Sequence, residues 1–283
     1  MPTLPFTKMH GTGNDFVMVD ARDFSEARLK ALRRNASRIG DRHFGVGFDQ
    51  MIIVRKPESK DADLRMEIIN QDGSIVEMCG NGIRCFALYV RDRKIMDKPV
   101  LNVETPAGII RPRIADGLVE VDMGEPVLDG RRIPVNVDGE IRDRTLTIAG
   151  EPRTVTCVSM GNPHCVSFVQ SVEAAPVTTL GPKIEHDPLF PRRINAEFAE
   201  IVDKGTIRLR VWERGAGETL ACGTGACATA VAAAWTGRTG RNVTVKLPGG
   251  DLRIRWDESS NRVFMTGPAT TVFEGSLELP DGE

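Results

Sequence analysis

Two short stretches of this sequence carry residues that could do chemistry, and they look like copies of one another. The first covers 78–85 (MCGNGIRC) and the second covers 221–227 (ACGTGAC). In each, a cysteine stands directly before a Gly-x-Gly turn that leads into a helical pattern, over 86–93 and 228–235. A cysteine at a helix N-terminus faces unpaired backbone N–H groups and the positive end of the helix dipole, which favours the thiolate. The same N–H groups can hold a carboxylate.

Two such turns predict acid/base chemistry at a carbon atom next to a carboxylate. Inversion of a stereocentre without a cofactor needs a base on one face of the carbon and an acid on the other. A thiolate and a thiol can share this work, and the helix N-termini would stabilise the developing negative charge. The sequence therefore predicts Cys79 and Cys222 as the acid/base pair. The remaining cysteines are expected to be small buried apolar residues: Cys85, Cys157, Cys165 and Cys227.

The second half of the chain repeats the first at a nearly constant spacing. Asn70 ends an alternating strand nine positions before Cys79, and Glu213 ends another nine positions before Cys222. Both pairs differ by 143 (213 − 70 and 222 − 79), and the Pro-Gly turns at 105–108 and 247–250 differ by 142 (247 − 105). A constant shift over strand, turn, helix and hairpin predicts an internal duplication.

The duplication predicts a mixed α/β (α+β) fold of two similar domains related by a pseudo-twofold axis. Each domain is expected to curl a mixed, largely antiparallel sheet around its central helix, with the active site in the interdomain cleft. The predicted domains are 1–123, completed by 268–283, and 124–267.

Composition excludes several classes of protein. The chain has 283 residues, 41% hydrophobic and 27% charged, which is enough apolar material for two cores. A net charge of -2 gives no general attraction to nucleic acid. The first residues lack a signal-peptide pattern and the longest apolar-rich stretch, 226–235, falls short of the ~20 residues of a membrane span. We therefore expect a cytoplasmic protein without membrane contact. Without a Cys-x-x-Cys pair, no metal site is expected.

The sequence resembles the diaminopimelate epimerases over nearly its whole length. Matching segments are 9–16, 45–50, 70–85, 161–164, Asn195 and 213–226, and the most specific is ERGAGETLACGTGA at 213–226. The resemblance implies conversion of LL-diaminopimelate to the meso form, on the route to lysine and to peptidoglycan cross-links. It implies no cofactor, a homodimer, and Cys79 and Cys222 as acid and base. One departure is Gln71, where the family usually has alanine.

The resemblance also implies a set of residues around the substrate. Residues that touch the substrate would be Asn14, Gln50, Asn70, Asn162, Asn195, Glu213 and Arg214. The reacting carboxylate would be held by Gly80, Asn81, Gly223 and Thr224, with His164 and Glu213 supporting the reacting centre. At the unreactive end, Arg214 suits a carboxylate, and Glu213 with the amides of Asn70, Asn162 and Asn195 offers acceptors for an ammonium group.

Other functions fit the sequence less well. A proline or hydroxyproline racemase would share the two-cysteine logic, but those enzymes typically carry His where this chain has Asn81, and they lack the Glu213-Arg214 pair. A phenazine-biosynthesis-type isomerase would lack both cysteines. A nucleotide-binding loop at 223–228 would need a buried strand before it, and 217–220 is not one. A non-catalytic binding module has no reason to keep a cysteine before both Gly turns.

Overall fold

The computed structural model describes residues 3–76 and 79–279. Contacts divide the chain into two units, Met1–Val121 with Gly267–Glu283, and Asp122–Thr266. Met78, the first residue of the first cysteine motif, lies outside the described residues, and so do positions 280–283 of the predicted C-terminal segment.

Strands dominate both units. The strands are β1 (Thr3–Gly11), β2 (Asn14–Asp20), β3 (Gln50–Arg55), β4 (Leu64–Asn70), β5 (Ile75–Val76), β6 (Val103–Thr105), β7 (Gly108–Ile110), β8 (Arg113–Ala115), β9 (Leu118–Asp122), β10 (Arg144–Ile148), β11 (Glu151–Ser159), β12 (Pro163–Phe168), β13 (Asn195–Asp203), β14 (Thr206–Glu213), β15 (Gly217–Thr219), β16 (Asn242–Leu247), β17 (Gly250–Trp256), β18 (Val263–Gly267) and β19 (Thr270–Glu278). The α-helices are α1 (Glu26–Arg34), α2 (Ala36–Gly40), α3 (Gly80–Asp92), α4 (Val177–Glu185) and α5 (Gly223–Trp235). A 3-10 turn covers Gly130–Arg132.

The first unit is a mixed sheet with α3 packed on it. The strands lie in the order β19-β1-β2-β3-β4-β6-β7, and β5 pairs with β4. The pairs β2–β3 and β4–β6 are parallel, whereas β1–β19, β1–β2, β3–β4 and β6–β7 are antiparallel. Helix α3 contacts β1, β2 and β3 and buries most of its length, from Asn81 to Val90.

The second unit repeats this succession of pairings. Its strands run β10-β11-β12-β13-β14-β16-β17-β18, and β15 pairs with β14. Again two pairs are parallel, β12–β13 and β14–β16, and they alternate with antiparallel neighbours. Helix α5 contacts β11, β12, β13, β14, β16 and β17. The prediction of a mixed, largely antiparallel sheet with a central helix in each half is confirmed.

Both central helices begin earlier than the apolar pattern predicted. They start at Gly80 and Gly223 rather than at 86 and 228. The reason is that Cys79 and Cys222 have extended backbones and act as N-caps, so each Gly-x-Gly is the first turn of a helix and not a loop before it. Both helices have 13 residues. Over 3–76 and 79–279, no helix has both the length and the apolar character to cross a membrane.

Candidate active site

In the first unit, the candidate site is built on the N-terminus of α3. The Cys79 sulfur accepts a hydrogen bond from the Gly82 backbone N–H at 3.4 Å, which is a thiol version of a helix cap. The backbone N–H groups of the first turn, including those of Gly80 and Asn81, have no acceptor within the helix. The cysteine is half-buried. These backbone N–H donors can bind a carboxylate, which would then lie next to the Cys79 sulfur atom.

The Asn14 side chain lies beside Cys79, and a hydrogen bond to Asp49 orients its amide group. The Asn14 side-chain Nδ2 donates to Asp49 Oδ2 at 2.7 Å, which leaves Oδ1 directed at Cys79 Sγ, 3.6 Å away. Asn81 Nδ2 also donates to this oxygen, at 3.3 Å. Asp49 was not singled out from the sequence. Its neighbour Gln50 was, and only the cross-strand contact between the starts of β2 and β3 shows that Asp49 orients the amide.

Gln50 and Asn70 come together because β3 and β4 pair antiparallel with these two residues opposite each other. Gln50 Nε2 donates to Asn70 Oδ1 at 3.2 Å, and Asn70 Nδ2 donates to Ser74 Oγ at 3.0 Å. Within the described part of the chain, Gln50 Oε1 and Asn81 Oδ1 are buried acceptors without a hydrogen-bond partner. Such an atom costs stability unless a ligand supplies the donor. The first unit thus offers two unused acceptors among its predicted site residues.

In the second unit, Cys222 caps α5 in the same way as Cys79 caps α3. Its sulfur accepts from the Gly225 N–H at 3.4 Å and lies 3.5 Å from Thr224 Oγ1. It differs in burial, because only 4% of Cys222 is exposed.

The burial of Cys222 opposes the thiolate form that its place at a helix N-terminus favours. Burial raises the pKa of the Cys222 thiol well above its ordinary value, and the nearby carboxylates of Glu213 and Glu197 raise it further. Hydrogen bonds with Thr224 and the Gly225 N–H act in the opposite direction. The loss of hydration therefore outweighs the donors of the helix terminus, and Cys222 is held as a thiol.

Glu213, Arg214 and Asn195 meet where β14 ends beside the start of β13. The Arg214 backbone N–H donates to Asn195 Oδ1 at 2.9 Å, and Asn195 Nδ2 donates to Pro163 O at 2.8 Å. The Asn195 side chain thereby ties the Arg214 backbone to β12, and its expected role as an acceptor for an ammonium group stays a prediction. The exposed Arg214 guanidinium donates to Arg192 O at 3.1 Å, and Glu213 Oε1 accepts from Thr219 Oγ1 at 2.5 Å.

His164 bonds to a carboxylate that is not among the predicted site residues. Its Nδ1 is 2.6 Å from Glu197 Oε1, and its Nε2 is 3.0 Å from Asn162 Oδ1. Both His164 and Glu197 are fully buried, and burial raises the pKa of Glu197. The Asn162 oxygen bonds to His164, which directs the amide N–H2 away from that ring, and its expected role as an acceptor for an ammonium group stays a prediction.

A profile of the family described as diaminopimelate epimerase matches residues 6–128 and 156–272. A protein named diaminopimelate epimerase from Acetivibrio thermocellus is 52% identical over 280 residues, which cover 97% of this chain and 98% of that protein. One with the same name from Moorella thermoacetica is 54% identical over 280 residues, 97% of this chain and 99% of that one. The chain belongs to the diaminopimelate epimerase family.

Solved structures that resemble this epimerase-family chain share its fold at low sequence identity. A phenazine biosynthesis protein of the PhzF family from Bacillus anthracis superposes with a TM-score of 0.70 at 19% identity, over 98% of this chain and 100% of that one. A hydroxyproline epimerase from Agrobacterium vitis gives a TM-score of 0.66 at 13% identity, over 97% of this chain and 92% of that one. At such identities the likeness concerns the fold alone.

Sequence reasoning missed Glu197, although one signal was available. Glu197 is the one charged residue in the largely apolar segment 194–199 (INAEFA), and the structure shows that this segment is buried throughout. A fully buried carboxyl group needs a polar partner, and a histidine on the neighbouring strand is a suitable one. Over 3–76 and 79–279, no group of three or more His, Cys, Asp or Glu side chains is arranged to hold a metal ion.

Proposed function

We propose that this chain is an isomerase that interconverts LL-diaminopimelate and meso-diaminopimelate without a cofactor, by a two-base mechanism. The observation that supports this most is the pair of cysteine-capped helix N-termini, one in each unit. They stand in a chain that is about half identical to proteins named diaminopimelate epimerase.

In the proposed reaction, one cysteine thiolate removes the proton from the α-carbon and the other cysteine thiol returns a proton to the opposite face. The electron pair moves into the adjacent carboxylate, which becomes enediolate-like. First-turn N–H groups of α3 and α5 would hold that negative charge, with Gly80, Asn81, Gly223 and Thr224 as the contacts. Burial favours the thiol form of Cys222 at rest, which suits a proton donor in the direction in which Cys79 is the base.

The unreactive end of the substrate would be recognised by its charges. Arg214 can bind a carboxylate through two parallel hydrogen bonds, and Glu213 can accept from an ammonium group. Asn162 contributes its amide N–H2, because the bond between its oxygen and His164 fixes the orientation of the amide. Asn70 belongs to the same set of proposed contacts, together with Asn14 and Gln50. L-Proline has no distal charged group, so this arrangement disfavours a proline racemase reaction.

A place in lysine and peptidoglycan-precursor synthesis follows from the proposed reaction, with the cytoplasm as the compartment and a homodimer as the assembly. Exposed apolar side chains on β19, Val272 and Phe273, support self-association, because β19 is an edge strand of its sheet. Light scattering after size-exclusion chromatography tests the assembly: a dimer mass is expected, and a monomer at all concentrations would contradict it.

The direct test of the proposed function is to incubate the purified protein with LL-diaminopimelate and to quantify both stereoisomers by chiral chromatography. We expect an equilibrium mixture of the LL and meso forms, reached from either side, also after dialysis against a chelator. L-Proline and trans-4-hydroxy-L-proline serve as comparison substrates and should remain unchanged. Racemisation of either one without epimerisation of diaminopimelate would overturn the proposal.

A further inference from the structure

Three hydrogen-bonded side chains connect the interior of the second unit to its candidate site. Glu197 Oε1 lies 2.6 Å from His164 Nδ1, and His164 Nε2 lies 3.0 Å from Asn162 Oδ1. The two inner side chains are 0% exposed, whereas Asn162 is half-buried. One end of this series is therefore sealed from water, and the other is a residue proposed to contact the substrate.

Strand register places Glu197 against the turn that caps Cys222. Strands β12 and β13 are parallel, and Asn195 and Glu197 project from the same face of β13. Glu197 Oε1 lies 3.1 Å from the position that a Cβ atom on Gly225 would occupy. Gly225 is the residue whose N–H bonds to the Cys222 sulfur. Glu197 thus packs between His164 and the first turn of α5.

The hydrogen-bond partners of His164 determine where its ring protons are. A carboxamide oxygen only accepts, so the contact with Asn162 Oδ1 requires a hydrogen on His164 Nε2. Nδ1 then has two possible states. It either carries a second ring proton that it donates to the Glu197 carboxylate, or it accepts the proton of the Glu197 carboxylic acid. In both states one proton lies between His164 Nδ1 and Glu197 Oε1. A neutral imidazole without a partner at Nδ1 can carry its hydrogen on either nitrogen.

We propose that Glu197 is a positioning residue for the epimerisation: through His164 it keeps a hydrogen on Nε2, and this holds the Asn162 oxygen so that the amide N–H2 faces an anionic group of the substrate. The inference rests on the proposed function for the identity of the reaction. Glu197 touches neither the substrate nor a reacting atom.

The burial of the Glu197 carboxyl group argues against a purely structural role. The side chain is 0% exposed, and the groups that bond to it are His164 and the Cys165 backbone N–H. Burying a carboxyl group costs free energy, so an apolar residue of similar size would be the better choice for packing alone. The carboxyl group is instead explained by the bond that it makes to His164.

Two substitutions separate the hydrogen bond from the charge. Glu197→Gln removes the charge but keeps a group that can donate to Nδ1, which leaves the hydrogen on Nε2. Glu197→Met has similar length and no hydrogen-bonding group. Glu67→Met is the matched control, because Glu67 is also a buried glutamate on a strand, paired with Arg33 and Arg55 of the first unit.

The first measurement is long-range ¹H–¹⁵N NMR of the histidine rings, with the His164 signals assigned by their loss in His164→Gln. We expect a protonated Nε2 in the wild type and in Glu197→Gln, and a mixture of tautomers or a proton on Nδ1 in Glu197→Met. An unprotonated Nε2 in the wild type would overturn the proposal, even if Glu197→Met does not fold.

The second measurement is the separation of kcat from KM for LL-diaminopimelate. In Glu197→Met we expect kcat/KM to fall by about 10- to 100-fold, mostly through KM, as a misplaced polar group would cause. Glu197→Gln should stay within about 10-fold of the wild type, and the Glu67→Met control within about 3-fold despite a lower Tm.

Two kinetic results would contradict the proposal. One is a folded Glu197→Met enzyme with wild-type kinetics, and the other is an equal loss in Glu197→Gln and Glu197→Met. If the wild type does not act on LL-diaminopimelate at all, the proposed function fails, whereas the NMR result still decides whether Glu197 fixes the His164 ring. The two failures are therefore distinguishable.

Discussion

The N-termini of α3 and α5 have the same backbone design and different surroundings. Each begins with a cysteine cap whose sulfur accepts from the N–H three residues later, at 3.4 Å in both. Cys79 is half-buried and faces a carboxamide oxygen of Asn14. Cys222 is buried, and the pKa of its thiol is raised by that burial and by two carboxylates. Duplication supplied two equivalent sulfur positions, and the polar neighbours made them chemically unequal.

The residues that end the corresponding strands β4 and β14 also differ between the two units: they are uncharged in the first and charged in the second. Asn70 and Gln71 in the first unit correspond to Glu213 and Arg214 in the second, at the shift of 143. The first pair bonds within its own unit, Asn70 to Ser74 and Gln71 Nε2 to Phe48 O. The charged pair is therefore present in only one of the two repeats. A substrate with one reacting end and one recognised end needs such an asymmetry.

The largest effect is expected from removing either sulfur, which tests what the two helix N-termini have in common. Cys79→Ala and Cys222→Ala should each lower kcat for LL-diaminopimelate by about 10⁴-fold, because a general acid or base is lost. Cys85→Ala and Cys227→Ala are matched controls on the same helices, six residues after Cys79 (85 − 79) and five after Cys222 (227 − 222), and both should remain active. Cys85 is fully buried within α3, where burial raises the pKa of its thiol to about 12, and neither Cys85 nor Cys227 caps a helix N-terminus. An active Cys222→Ala enzyme would contradict the claim that both helix N-termini supply an acid or a base.

The next largest effect concerns the charged pair that only the second unit carries. Arg214→Met should lower kcat/KM for LL-diaminopimelate by about 10³-fold, because a buried substrate carboxylate would lose its partner. L-Lysine lacks that carboxylate and should be a very poor substrate of the wild type. Gln71→Met at the corresponding position of the first unit is the control and should change kcat/KM little. Similar kcat/KM values for lysine and diaminopimelate on the wild type would place the recognised end elsewhere.

A smaller effect is expected in the reactivity of the two thiols. The thiolate reacts with iodoacetamide, and a raised pKa means that the thiolate of Cys222 forms only at higher pH. Peptide mapping after brief alkylation near pH 7.5 should show Cys79 modified before Cys222. Glu213→Gln removes a charge that raises the Cys222 pKa, so the alkylation profile of Cys222 should shift to lower pH and its rate near neutral pH should rise by up to about 10-fold. A shift of the Cys222 alkylation profile to higher pH would contradict the prediction that the Glu213 charge raises the pKa of Cys222.

The smallest effect compares the two glycines that bond to the sulfurs. A Cβ on either glycine would meet the Cβ of the capping cysteine, at 3.3 Å for Gly82 and 3.2 Å for Gly225. The other neighbour differs: for Gly82 it is Ile52 Cδ1 at 2.8 Å, the end of a flexible side chain, and for Gly225 it is Glu197 Oε1 at 3.1 Å, which is held by its bond to His164. Gly225→Ala should therefore lower the free energy of unfolding by about 2 kcal/mol and Gly82→Ala by about 1 kcal/mol. Urea unfolding of both variants measures this, and the reverse order would contradict the packing described for Glu197.

The sequence predicted those features that depend on local order along the chain. The two cysteine motifs, the strand ends at Asn70 and Glu213 and the constant shift all follow from spacing, and the mixed fold with a central helix in each half is confirmed. The domain limits, the acid/base pair and the substrate contacts stay predictions. Contacts between strands were not predictable in this way: Asp49 beside Asn14 and Glu197 beside His164 depend on which residues the sheet register brings together. The thiol state of Cys222 depends on burial, which a helix N-terminus in a sequence does not reveal.

The central claim is that two cysteines, one from each repeat, exchange protons on the same carbon. The most direct test is to start from LL-diaminopimelate in D₂O and to follow deuterium in substrate and product by NMR during the first turnovers. The account predicts meso-diaminopimelate that carries deuterium at the inverted α-carbon, while the remaining LL substrate keeps its hydrogen. Product that retains the substrate-derived hydrogen would mean that a single base removes and returns the same proton, and it would contradict the account.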